Sequence, residues 1–289
     1  MRYRVQHTTT FAYAEPVDLA CHMLRLLPRS LPYQQVISSA IIADPTGGRR
    51  EDGVDHFGNR VSWLFLDLPH PHFAVTLHAE VDVAFPPPPE PDGTPPWEAV
   101  ATARDGGPTQ WQAAEFTFPS PMVEADREVA AYVAQSFPPG RAILAGLIDL
   151  LDRIRRDFKF QSGVTTIATP VGRVLAQRAG VCQDFSHLMI SGLRSLGLPA
   201  RYVSGYIRTR PPPGMERRRG SDQSHAWVGC WLGPLHGWVD VDPTNNLIVR
   251  DEHVVLGWGR DYGDLSPVRG VILGGGKHTL DVSVDLQPV

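Results

Sequence analysis

Cys182 stands directly after Gly180 and Val181 and opens the run CQDFSHLMISGLRSLG, whose apolar residues recur at helical spacing. Cys182, Phe185, Met189, Leu193 and Leu196 lie three or four positions apart, and Gly197 before Pro199 supplies a stop. A thiol in the first turn of a helix meets the partial positive charge of unpaired N–H groups, which favours a thiolate and hence a nucleophile. The competing reading is a packing residue, because free cysteine is among the most buried residue types.

A cysteine nucleophile needs an imidazole to take its proton and a further group to hold that imidazole. Among 11 histidines, His187 lies on the same helix but about 140° round from Cys182, so it points away. His236 falls in a Gly-Pro-Leu-His-Gly turn and is expected to be solvated. His225 opens the strand HAWVGCWL at a loop-to-strand junction, where a side chain is both positioned and reachable. The next strand, 238–242, carries Asp240 and Asp242 on one face by its period of two, and antiparallel pairing would bring one of them to His225.

A metal centre competes for the same residues, since Cys182, His187, His225 and Cys230 are all potential zinc ligands. No paired ligand spacing joins them, and Cys230 alternates to the strand face opposite His225. No acidic loop has calcium-ligand spacing, and the glycines at 274–276 precede no helix that would make a phosphate loop. No metal or cofactor is therefore expected. Cys21 and Cys230 are read as packing residues. Trp227 and Trp231 share the strand side of His225 and, with Trp238, are candidates for a cleft wall, at least one of them being core.

The elements that must position these groups are legible in outline. Residues 1–85 are rich in β-branched and aromatic alternations (YRVQHTTTFAY, QQVISSAIIA, RVSWLFLDL, FAVTLHAEVDVAF) broken by turn residues, which predicts an antiparallel β domain over 1–90. The stretch PPPPEPDGTPPWE admits neither helix nor central strand and marks the domain edge. Residues 91–289 form the second part, with helices over 124–137 and 142–158 before the Cys182 helix. Strands then follow in ARYVSGYI, SHAWVGCWL and GWVDVDPTN, and a last strand, HTLDVSVDL, is open to pairing in either part.

The chain of 289 residues is 42% hydrophobic and 20% charged, values of a folded globular protein with a sizeable core. Its net charge of −4 gives no electrostatic case for nucleic acid or an anionic membrane as partner. The basic run ERRRG at 216–220 reads as a solvated loop. Three cysteines are too few for a disulfide framework, and no apolar run is long enough to span a bilayer, so a cytoplasmic location is expected.

Taken in order, GVCQDFSHLM, LGLPARYVSGY, SHAWV and GWVDVDPTN resemble the bacterial transglutaminase-like superfamily, and YRVQHTTTFAYAEPV with GRDYGDLSPVRGV resembles its subgroup with an added N-terminal β domain. The resemblance implies an α+β fold in which a papain-like core follows that domain. It also implies a Cys-His-Asp triad in which Cys182 is the nucleophile, His225 the general base and acid, and Asp242 the residue orienting the imidazole, with Asp240 as the alternative. Cys182 N–H is the expected oxyanion donor.

The implied chemistry is attack on a carboxamide of a peptide, protein or other substrate to give a thioester, released to an amine by an acyltransferase or to water by a hydrolase such as a cysteine protease or amidase. The alternative is a catalytically silent binding module that keeps the fold. Retention of all three positions favours the enzyme. The connection 208–223 before His225 is a candidate lid, and Arg260, Asp261 and Tyr262 are read as structural.

Overall fold

The computed structural model describes residues 1–102, 108–209 and 223–289. Five strands come first: β1 (Arg2–Leu24), β2 (Gln34–Asp44), β3 (Arg49–Val54), β4 (Arg60–Leu66) and β5 (His70–Val83). They form an antiparallel sheet in the order β2-β5-β1-β4-β3. β1 is long enough to serve both halves: residues 2–12 pair with β5 and 20–24 with β4, with the register shifting between Ala12 and Val17. Pro16, which has no N–H to donate, falls at that shift.

The proline-rich stretch carries the chain into a helical layer. There α1 (Trp97–Thr102), α2 (Pro108–Ala114), α3 (Arg127–Ala134) and α4 (Ile143–Asp157) precede a two-stranded parallel pair, β6 (Lys159–Phe160) and β7 (Ala179–Gly180), that brackets α5 (Val171–Gln177). α3 begins where Asp126 accepts the N–H groups of Glu128 and Val129. α6 (Cys182–Ser195) ends as expected: Gly197 takes φ +79°, and the Gly197 and Leu198 N–H groups satisfy the carbonyls of Arg194 and Leu193. At Gly192 a Cβ would lie 2.2 Å from the Val133 side chain, so glycine there sets how closely α3 and α6 approach.

A second, five-stranded antiparallel sheet has the order β11-β10-β9-β8-β12. Its strands are β8 (Ala200–Ile207), β9 (Gln223–Trp231), β10 (Trp238–Asp242), β11 (Leu247–Ile248) and β12 (His253–Gly259). Leu147, Leu150, Phe185, Met189 and Leu193 from α4 and α6 share a core with Tyr202, Val228, Cys230 and Val241 from this sheet. Tyr206, Val254 and Leu256 bury instead against Tyr3, Val5 and Phe73 of the first sheet, so the two sheets share apolar contacts. Gln34 clamps them together, donating to Val255 O at 2.7 Å and accepting Val255 N–H at 2.7 Å.

After α7 (Tyr262–Leu265) the last strands, β13 (Val268–Gly274) and β14 (His278–Pro288), return to the first sheet, and both pair with β1. The α+β class and the antiparallel N-terminal sheet agree with expectation. Residues 210–222, which hold most of the expected lid and the ERRRG run, lie outside the described residues.

Candidate active site

The turn before Cys182 is closed from two sides. Gln161 N–H donates to Gly180 O at 2.8 Å, tying the entry of α6 to β6, and Asp184 Oδ2 accepts both Val181 N–H and the Thr165 hydroxyl at 2.7 Å. Cys182 therefore occupies the first helical position, half-buried, against the core of the helical layer.

His225 lies near the start of β9 opposite Gly205 of β8. It is 7% exposed. Its Nε2 donates to Asp242 Oδ2 at 2.7 Å, while the Cys182 thiol comes within hydrogen-bonding reach of the same ring. With Nε2 committed to the carboxylate, Nδ1 is the nitrogen left to the thiol. Burial by itself would lower the imidazole; the hydrogen bond with Asp242, followed by that with Cys182, outweighs it and pushes His225 up to about 10.

Asp242 is fully buried and receives donors on both oxygens. Oδ1 accepts the N–H groups of Thr244 and Asn245 at 2.9 and 3.2 Å, and Oδ2 accepts the Asn245 amide at 2.7 Å and His253 Nε2 at 3.3 Å besides His225. Burial raises the carboxyl, but the donors from His225, His253 and Asn245 hold it well below the usual carboxylate range. Asp240, the alternative, is engaged elsewhere: Oδ2 accepts Trp227 Nε1–H at 2.9 Å and Oδ1 faces Arg201 at 3.8 Å.

Asn245 and His253 were not singled out from sequence. Asn245 follows Asp242 in the DPTNN turn, a position at which a side chain folds back on the carboxylate. His253 opens β12, and His225 likewise lies near the start of β9. Ligand atoms of His225, Asp242 and His253 lie within 4.8 Å of one another. Both imidazoles spend Nε2 on the carboxylate, so hydrogen bonding accounts for the grouping.

The other candidates sit apart from this cluster. His187 is buried and accepts Tyr262 N–H at 3.2 Å; burial lowers its imidazole to about 4. Cys230 is packed in the core beneath the sheet, where burial pushes its thiol well up. His236 is half-buried rather than solvated. Trp227 and Trp231 keep the expected common side: Trp231 pairs with Trp238, their rings 5.6 Å apart, and Trp227 donates to Asp240 two residues further along that strand, although Trp227 packs with Val203, Val249 and Val255 while Trp231 joins the main core. Asp261 accepts the N–H groups of Met122 and Gly263, consistent with a structural part.

Cys182 and His225 open on a cavity of about 280 Å³. Its far wall comes from the first sheet: His7, Thr9 and Phe11 of β1 with Leu280 and Val282 of β14. The site is thus shared by both sheets.

Residues 3–82 match the family described as the bacterial transglutaminase-like N-terminal region, and residues 130–243 match the transglutaminase-like superfamily. An uncharacterized protein of Mycobacterium tuberculosis (strain ATCC 25618 / H37Rv) is 40% identical over 294 residues, covering 99% of this chain and 93% of the relative. The chain belongs to the transglutaminase-like superfamily. A protein-glutamine gamma-glutamyltransferase of Pseudomonas aeruginosa is 40% identical over 68 residues, 23% of this chain and 10% of that protein. A solved structure described as a candidate cysteine protease from Cytophaga hutchinsonii has the same fold, with a TM-score of 0.76 at 20% identity over all of this chain and 91% of that one. Among the described residues of this superfamily member, no helix is long and apolar enough to cross a membrane.

Proposed function

We propose that this transglutaminase-like chain is an acyl-transfer enzyme with Cys182 as nucleophile, His225 as acid and base, and Asp242 as the group that fixes the imidazole. The observation that carries the reading is the His225 ring, buried between a carboxylate at 2.7 Å and the thiol of a helix-terminal cysteine. In the first step the thiolate sulfur bonds to the carbonyl carbon of a carboxamide, the C–N bond breaks, and the amine or ammonia leaves with the proton from His225. An amine or water then attacks the thioester, gives its proton to His225 and releases Cys182. The developing oxyanion lies near the first N–H groups of α6, where the helix terminus stabilises negative charge.

Asn245 and His253 act in this reading as positioning residues, each donating to the Asp242 oxygen that also accepts from His225. The apolar wall formed by Phe11, Leu280 and Val282 supports a peptide or protein side chain as acyl donor. The likeness to a protein-glutamine gamma-glutamyltransferase makes glutamine carboxamide the first donor to test. Three unpaired cysteines support the reducing cytoplasm as the compartment.

The test is incubation with glutamine-containing peptides and hydroxylamine, reading hydroxamate formation and ammonia release, alongside mass spectrometry of the acylated cysteine. Cys182→Ala should abolish both products while Cys230→Ala retains them. Equal loss in the two folded variants would overturn the assignment of a single nucleophile. Thiol-independent product would overturn the mechanism.

A further inference from the structure

Arg201, on β8, is only 4% exposed, yet its Nε has no hydrogen-bond partner among the described residues. The carboxylate it faces, Asp240, stands 3.8 Å from Nη2, beyond hydrogen-bonding distance, and Asp240 already accepts from Trp227. Other buried arginines of this chain are handled differently. Arg194 donates to the carbonyls of Phe116, Ala200 and Arg260 and to the Ser120 hydroxyl, and Arg153 to Tyr132 O and Ser136 Oγ. A buried guanidinium without its bonds is costly, so its remaining donors point to a partner that the fold does not itself provide.

The surroundings describe that partner. The Arg201 guanidinium lies against two indoles, 4.2 Å from the Trp238 ring centroid and 3.8 Å from that of Trp258, and Arg29 stacks on Trp258 at 3.6 Å. These residues line a cavity of about 590 Å³ with Tyr33 and Phe116. It is larger than the cavity beside Cys182 and shares no lining residue with it. Arg29 gives Nη1 to Phe57 O and Asn59 Oδ1, which fixes it as a wall and a second positive charge rather than the principal donor.

We propose that this cavity binds a small molecule carrying one carboxylate on an aromatic or apolar body, with the free donors of Arg201 on the carboxylate and the indoles of Trp238 and Trp258 on the body. A single negative charge suits the site better than a phosphate dianion, because Asp240 and Glu115 already lie at its border. Asp240 bridges Arg201 to Trp227, whose ring lies 5.1 Å from His253 and 6.1 Å from His225. Two residues, Asp240 and Trp227, thus stand between Arg201 and the proposed catalytic cluster, and the site is separate from it.

Isothermal titration of the full chain with phenylacetate, 2-phenylethanol and inorganic phosphate tests the site without reference to catalysis. Phenylacetate should bind saturably, and the uncharged alcohol and phosphate should bind at least tenfold more weakly. Arg201→Gln should weaken phenylacetate at least tenfold. Gln112→Glu, an exposed change on the cavity border that leaves the core intact, should weaken it severalfold. Equal binding of the alcohol, tighter binding of phosphate, no saturable binding of phenylacetate, or binding unmoved by Gln112→Glu and by a folded Arg201→Gln would each overturn the proposal.

Discussion

Asp242→Asn tests the proposed catalytic cluster most directly, because it changes charge and proton direction at almost constant shape. The asparagine carbonyl oxygen can still accept the N–H groups of Thr244 and Asn245. The new amide NH₂ then faces His225 Nε2, which must turn from donor to acceptor. That tautomer carries its proton on Nδ1, toward Cys182, and cannot take the thiol proton. In the native arrangement His225 is raised from 6.5 to about 10, which corresponds to about 5 kcal/mol in favour of the imidazolium. A charged hydrogen bond contributes about 1.5–3 kcal/mol of this. Losing it should cut the imidazolium–thiolate population by one to two powers of ten.

The assay is iodoacetamide alkylation of Cys182, quantified by mass spectrometry between pH 5.5 and 10 on protein whose fold is checked by near-UV circular dichroism. At pH 6 the variant should label about 10- to 100-fold more slowly than the native protein. Above pH 9, where free thiols ionise unaided, the two rates should converge. Labelling of a folded Asp242→Asn variant within threefold of native at pH 6 would refute the reasoning.

His253→Phe removes one donor from Asp242 and should lower kcat about tenfold at unchanged KM, with His253→Gln restoring most of it; an equal loss in both variants would show a packing role alone. Gly205→Ala should destabilise the chain by about 1–3 kcal/mol in urea titration, because the added Cβ would meet Val254 O at 2.1 Å and the Trp227 ring at 2.4 Å beside the His225 strand pair. His7, His22 and His187 are buried, and burial lowers each imidazole to about 4. Their neutral forms stabilise the fold in full above pH 6.5, and that stability is lost as pH falls through 4, by about 3 kcal/mol for each. Acid unfolding should therefore begin between these values, and replacing His22, stacked on Phe73 at 4.0 Å, by Phe should shift its midpoint downward.

Local patterns carried the central elements. The three-and-four spacing after Cys182 and the Gly197 stop correspond to α6, and the alternation in SHAWVGCWL and GWVDVD corresponds to the strands bearing His225 and Asp242. What escaped notice was either short, polar or distant. β3 reads RREDGV, an edge strand with no apolar face, and α5 spans only 171–177. β12 was missed although its burial is nearly complete, and with it His253. The choice between Asp240 and Asp242 could not be made from a period of two, since both share a face. It turns on Arg201 and Trp227, which are contacts across strands. The far wall of the cavity was equally out of reach, because it joins residues from the two ends of the sequence.

That wall also fixes an order of assembly. β14 pairs with β1 from Tyr3↔Pro288 to Tyr13↔His278, so the first strand waits for one made long after Cys182. Contacts between such distant segments close late, since the loop entropy must be spent before they form. During synthesis the thiol and its histidine emerge while Leu280 and Val282 are still missing, and the reactive face is open to solvent on that side. Enclosure of the site therefore waits for β14, and a chain cut before that strand would hold the proposed catalytic residues without the chamber in which they face a substrate.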